Sequence, residues 1–146
     1  MKSINVFKCK LVKESAVQYE AATDQNKAAD LFRAFGIADA AEEIFAIACL
    51  ATDLSVTGIH EISHGTLDGA LVSPREVFKR ALLNNAHRII LCHNHPSGNP
   101  IPSKEDMDIT KKLVEAGKML GIPVQDHLIL TPDPNRSTSF KQSGLL

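Results

Sequence analysis

Apolar residues recur along this chain with two different periods, and the switches between them outline its elements. In residues 4–12, Phe7, Cys9 and Leu11 alternate with Lys8 and Lys10, which predicts a strand with one wet face. Asp24 is placed to cap a helix in which Ala28, Leu31, Phe32 and Phe35 recur at helical spacing, and Gly36 suits its end. Residues 44–50 (IFAIACL) are apolar on both faces, as a central strand requires. Thr52 and Asp53 offer a turn into residues 54–62, so these two strands are expected to form a hairpin. At Ser73-Pro74-Arg75-Glu76 a second helix starts, with Ser73 as N-cap, Pro74 as first helical residue and Glu76 closing a capping box. Its inward stripe is Val77, Phe78, Ala81 and Leu82, and Asn84-Asn85 close it. A short strand follows at 88–92 (RIILC), and Ile109, Leu113, Ala116 and Leu120 mark a third helix ending at Gly121 and Pro123. Residues 124–130 (VQDHLIL) read as a strand, 131–138 as a polar loop and 139–146 as a mildly apolar tail. The order is mixed, hairpin then helix, strand, helix and strand, which predicts one α/β domain of α+β character over 1–146 with helices around a central sheet.

Composition narrows the class. At 146 residues, 44% hydrophobic and 23% charged, the chain has enough apolar material for a core without staples. Sixteen Lys and Arg against seventeen Asp and Glu leave a net charge of -1, which argues against a broad basic footprint for duplex nucleic acid. No apolar run has the length of a membrane span, and the opening MKSINVFKCKLVKES lacks a signal-peptide stretch, so a soluble, cytoplasmic protein without membrane partners is expected. Cys9, Cys49 and Cys92 show no CxxC spacing and sit in apolar or alternating stretches, the pattern of reduced core thiols.

The segment HNHPSGNPIPSKED carries the chemistry. His93 and His95 lie two apart where an apolar strand ends, so both imidazoles can face one point. Pro96, Gly98, Pro100 and Pro102 forbid regular structure and impose a stiff loop, which delivers Ser103 and Asp106 to the first turn of the next helix. Two neutral imidazoles and a carboxylate are the ligand types of a catalytic zinc that keeps one position open. Each part alone has a plainer explanation: HxH at a strand end is usually two half-exposed histidines, and S-x-x-D is a capping-box variant. Together, H-x-H-x7-S-x2-D arises by chance in roughly one such sequence per thousand, and capping is compatible with ligation.

This segment resembles the JAMM (MPN+/JAB) metalloprotease signature, and more closely its RadC-like branch, in which the His pair runs on into Pro-Ser-Gly. The resemblance extends through HGTLDGALVSPREVFKRALLNNA (64–86), GIPVQDHLIL (121–130) and SFKQSGLL (139–146), and so covers the chain from about residue 41 onward. Residues 1–40 are too short and too strand-like to supply the helix–hairpin–helix region of longer RadC proteins. The resemblance implies a JAB/MPN-type central β-sheet flanked by helices, a cytidine-deaminase-like three-layer sandwich. It implies zinc (Zn2+) held by His93, His95 and Asp106, with Ser103 near the metal stabilising a tetrahedral oxyanion. It also implies a general-base Glu at the start of an early strand. Glu43 fits that place best, Glu42 is a close rival because a one-residue slip reverses the side chain, and Glu61 is a distant third. Glu76 is accounted for by its capping box and Glu105 by exposure in a first helical turn.

The function that follows is a zinc-dependent metallopeptidase or isopeptidase acting on a polypeptide or isopeptide amide. Two other classes stand beside it. One is a DNA-repair-associated accessory module, for which Lys79/Arg80 or Lys111/Lys112 would be the contact clusters, although their spacing puts them on outer helix faces. The other is a binding module on the same fold that hydrolyses nothing. His60, His64, His87 and His127 are not required by the zinc scheme and read as surface or structurally bonded histidines. Asp126-His127 matches a recurring RadC-like pair and is expected to make a structural bond or line the rim of the site.

Overall fold

A computed structural model describes residues 1–65 and 72–146. Its elements are α1 (Gln25–Phe35), β1 (Glu43–Leu50), β2 (Val56–Gly65), α2 (Pro74–Leu83), β3 (Arg88–Asn94), α3 (Lys104–Leu120), β4 (Val124–Leu130) and β5 (Ser137–Ser139). The strands form one sheet in the order β2-β1-β3-β4-β5. β1 pairs antiparallel with both β2 and β3, β3 pairs parallel with β4 across α3, and β5 returns antiparallel along β4. This is the mixed, helix-flanked sheet expected of a JAB/MPN fold.

The period-two pattern of the strands divides the core into two halves. Ile44, Ala46, Ala48 and Leu50 of β1, with Ile90 and Cys92 of β3, pack against Ala28, Leu31 and Phe32 of α1. Phe45, Ile47 and Cys49, with Ile89 and Leu91, face the other way onto Val77, Phe78 and Ala81 of α2 and Leu113 of α3. The helices start where capping chemistry allows. Asp24 accepts from the Lys27 backbone N–H at 2.9 Å, and α1 ends on Gly36 in the left-handed region at φ 97°. Ser73 caps α2 by accepting from the Glu76 N–H at 3.3 Å.

α3 rests on the body through a close approach at Gly117. A Cβ there would collide with the Ile122 carbonyl oxygen and stand 3.2 Å from Phe78. Gly117→Ala is therefore expected to destabilise the fold by about 1–3 kcal/mol despite the helix propensity of alanine, as overpacking does. Denaturant titration measures this, and an unchanged midpoint would contradict it.

Five sequence expectations are corrected. Residues 4–12 form no strand and pair with none, and Cys9 is exposed rather than a core thiol. Alternation describes how a segment would sit on a sheet, but cannot supply the neighbour. Glu76 does not close a capping box: its carboxylate takes Lys79 at 2.9 Å and Arg80 at 3.1 Å instead, drawn by two cations one turn ahead. Leu82 is exposed, because it lies on the flank of α2. The loop predicted at 131–138 contains the start of β5, a strand too short to show a period. Cys49 and Cys92 are buried, and burial pushes the Cys49 thiol up to about 12 and Cys92 well above its ordinary value, so both stay protonated. Of the segment 64–86 that resembles the RadC-like branch, residues 66–71 lie outside the described residues. No helix among the described residues is long and apolar enough to cross a membrane.

Candidate metal centre

β3 runs two residues beyond its apolar core and ends on His93 and Asn94. His93 continues the face of Ile89 and Leu91, toward α2 and α3, and stacks on Phe45 with centroids 5.9 Å apart and planes 10° from parallel. His95 leaves the strand but keeps its direction, because its N–H donates to the Leu130 carbonyl at 2.8 Å. The proline-rich loop then turns at Gly98 (φ 86°) and enters α3 at Ser103.

The capping box of α3 sets the carboxylate. Ser103 Oγ accepts from the Asp106 N–H at 3.1 Å, and the Ser103 N–H donates to Asp106 Oδ2 at 2.8 Å. That leaves Asp106 aimed at the histidines. His93 Nε2 stands 3.2 Å from Asp106 Oδ1, His95 Nε2 3.1 Å from Oδ2, and the two Nε2 atoms 3.0 Å from each other. One ligand atom from each of the three lies within 4.8 Å of the others. Capping and convergence thus coexist in one side chain.

The outer nitrogens fix the tautomers. His95 Nδ1 is 2.7 Å from the Asn99 carbonyl, which only accepts, so Nδ1 carries the hydrogen and Nε2 presents a lone pair. On His93 the argument runs through a buried chain. The Thr110 hydroxyl donates to the Asp106 carbonyl at 2.6 Å and therefore accepts from His127 Nδ1–H, also at 2.6 Å. His127 Nε2 is left as an acceptor for His93 Nδ1–H at 2.8 Å, so His93 Nε2 also presents its lone pair. Two lone pairs and a carboxylate converge with no hydrogen of their own between them. Such a set is satisfied by a cation, and two imidazoles with a carboxylate suit zinc.

The electrostatics show how strongly this point draws positive charge. Burial alone would raise Asp106, but the two imidazoles set against it hold it well below the ordinary carboxylate range. His95 is raised, chiefly by the Asp106 carboxylate and further by the Asn99 carbonyl and the Glu43 charge, so a proton and a cation compete for the same Nε2 lone pair. His127 is pushed well below the ordinary imidazole range, chiefly by burial, so it stays neutral. It is fully buried between Phe45 and Phe140 and lies behind the site, not on its rim.

Glu43 opens β1 on the Phe45 face. Phe45, two residues on and on the same face, pairs with His93, and the Glu43 charge is felt at His95. Glu42 has the opposite parity: it is exposed and lies 3.4 Å from His64. Glu61 bonds His64 at 3.2 Å, away from the cluster. Ser103 is exposed beside Asp106, and its Oγ, while accepting from Asp106, keeps an O–H able to donate. Glu105 is exposed as expected, and His60 bonds Asn84 at 2.6 Å.

Sequence reasoning missed Asn94 and Thr110 and gave His127 no mechanism. Asn94 points to the α1 face, where its Nδ2 donates to the Glu42 carbonyl at 3.0 Å and the Ala40 carbonyl at 3.3 Å, and its Oδ1 accepts from the Ile44 N–H at 2.6 Å. It ties the approach to β1, Glu43 included, to the strand that bears the histidines. The available signal was a fully polar residue inside a buried strand, which must find partners. A cavity of about 510 Å³, lined by Asp24, Ile90, Asp126 and Ser139 among others, lies on the α1 side. Its Asp126 is already satisfied by the Ser139 hydroxyl and two backbone N–H groups, so the chemistry belongs with the His pair.

Comparison with known proteins decides the family. Residues 22–145 match the RadC-like JAB domain. The chain belongs to the RadC-like JAB domain family. A UPF0758 protein of Desulfitobacterium hafniense is 49% identical over 104 residues, covering 71% of this chain and 45% of that protein. A UPF0758 protein of Symbiobacterium thermophilum is 48% identical over 104 residues, covering 71% and 44%. One of Salinibacter ruber is 42% identical over 120 residues, covering 81% and 51%. This RadC-like chain thus spans about half the length of the curated relatives it matches.

Proposed function

We propose that this RadC-like domain is a zinc-dependent metallopeptidase or isopeptidase that hydrolyses an amide bond. The observation that carries the reading is the convergence of His93 Nε2, His95 Nε2 and the Asp106 carboxylate, with tautomers that leave both nitrogens free to ligate. Zinc, when bound by these three, supplies a Lewis acid for a carbonyl and brings the pKa of a bound water toward about 7. The chain's own groups supply the rest. Glu43 accepts the proton of the attacking water on its carboxylate and returns it to the leaving amine nitrogen, the exchange any amide hydrolysis needs. The Ser103 hydroxyl donates to the oxygen that gains charge as the carbonyl becomes tetrahedral. Phe45 and Phe140, packed around His93 and His127, keep water from the back of the site and hold the imidazoles in place.

The substrate in this reading is a polypeptide or isopeptide amide. The test is metal content. Purified chain is expected to hold one zinc, and His95→Ala or Asp106→Ala to lose it with the helix and strand content retained. Zinc measured by mass spectrometry at parent level in both folded variants would defeat the proposal. Because Asp106 also caps α3, Asp106→Asn serves as a milder companion: it keeps a capping oxygen but removes the charge.

A further inference from the structure

Residues 1–19 carry neither helix nor strand, yet the stretch within them is far from polar. Ile4, Val6, Phe7 and Val12 are 90%, 92%, 82% and 81% exposed. Apolar residues of this size, left together in water, mark an interaction segment. The sheet offers a matching defect. β5, at one edge, has three residues, but β2, at the other, has ten and, among the described residues, no strand on its outer side. Long open edges are normally guarded by Lys, Pro, bulges or brevity; β2 (VTGIHEISHG) contains neither Lys, Arg nor Pro, and has two irregularities in its pairing with β1, opposite Phe45/Ala46 and Cys49/Leu50. Its charged residue is Glu61, flanked by Glu42 across His64, whereas the segment brings Lys8, Lys10 and Lys13. The two also start close together: the Tyr19 hydroxyl donates to the carbonyl of Val56, the first residue of β2, at 3.2 Å.

We propose that residues 4–12 add a strand to the outer edge of β2 in a second copy of this chain, giving a twofold dimer by reciprocal exchange. The exchange is self-complementary, since each copy carries one segment and one edge, so two identical interfaces form and the assembly closes. Main-chain hydrogen bonds supply the attachment, and alternation puts one apolar row against the body of the partner copy. A second copy is the occupant because each copy offers both complementary parts, a segment bearing Lys8, Lys10 and Lys13 and an edge bearing Glu61.

The full chain is tested as it is. Its mass in sedimentation equilibrium is expected to be twice 15.9 kDa, with the amides of 4–12 protected from hydrogen exchange at high concentration and released on dilution. Lys8→Pro removes an N–H from the segment without touching the body, and Glu61→Lys sets a like charge on the edge; each is expected to weaken the dimer by at least tenfold, about 1.4 kcal/mol. Circular dichroism confirms that the body is folded in both. A monomer at every concentration overturns the proposal, whether residues 4–12 exchange freely or are protected by their own β2. A dimer indifferent to both substitutions overturns it as well.

Discussion

Replacing Glu43 by Gln is expected to leave zinc content unchanged and to lower amide hydrolysis by about 10²–10⁴-fold, the usual worth of a positioned general base. Gln keeps the length and shape of Glu but cannot hold the proton. The expectation rests on parity: Glu43 shares the face of Phe45, whose ring stacks on His93, and its charge is felt at His95. Glu42→Gln supplies the contrast. That side chain lies beside His64, so its loss should change turnover by less than about threefold, as surface substitutions do. Both are measured as kcat on an amide that the zinc-loaded parent cleaves, alongside bound metal. Parent-level turnover in Glu43→Gln, or a collapse in Glu42→Gln alone, would reassign the base.

The second large effect concerns residues that never meet substrate. Thr110→Val removes the hydroxyl that accepts from His127 and costs little volume. His127→Phe fills the same slot between Phe45 and Phe140 but leaves His93 Nδ1 without an acceptor. Each is expected to reduce zinc affinity about 10–100-fold, the range found when outer partners of ligating histidines are lost. His127→Phe should also cost about 1–3 kcal/mol of stability, since a buried donor loses its partner. A chelator-competition titration gives the affinity. Nitrogen-15 spectra of the metal-free chain read the tautomer directly: His93 should carry its hydrogen on Nδ1 in the parent and show a mixture in Thr110→Val. Unaltered spectra and affinity in both variants would reduce the buried chain to mere packing.

The hydrophobic pattern made most of the fold legible, because α1, β1, β3, α3 and β4 each bury a face whose period survives in the residues themselves. The convergence of His93, His95 and Asp106 was legible for a related reason: spacing of two on a strand, a rigid loop and a capped helix start are local properties. Other features depend on register. Which of Glu42 and Glu43 faces the histidines is decided by how β1 pairs with β3, and no single strand states that. The chain from His93 through His127 to Thr110 crosses 34 and then 17 positions and exists only once β4 and α3 pack. Residues 4–12 show the converse error, a strand pattern whose partner the same molecule does not supply.

One carboxamide has a mechanical consequence. Because Asn94 grips the backbone on both sides of Glu43, that acid is indexed to the histidine strand and not to the connection leading in from α1. Tension arriving from upstream is grounded at the clasp. An extra domain joined ahead of α1, or removed from it, should leave the spacing between acid and imidazoles untouched.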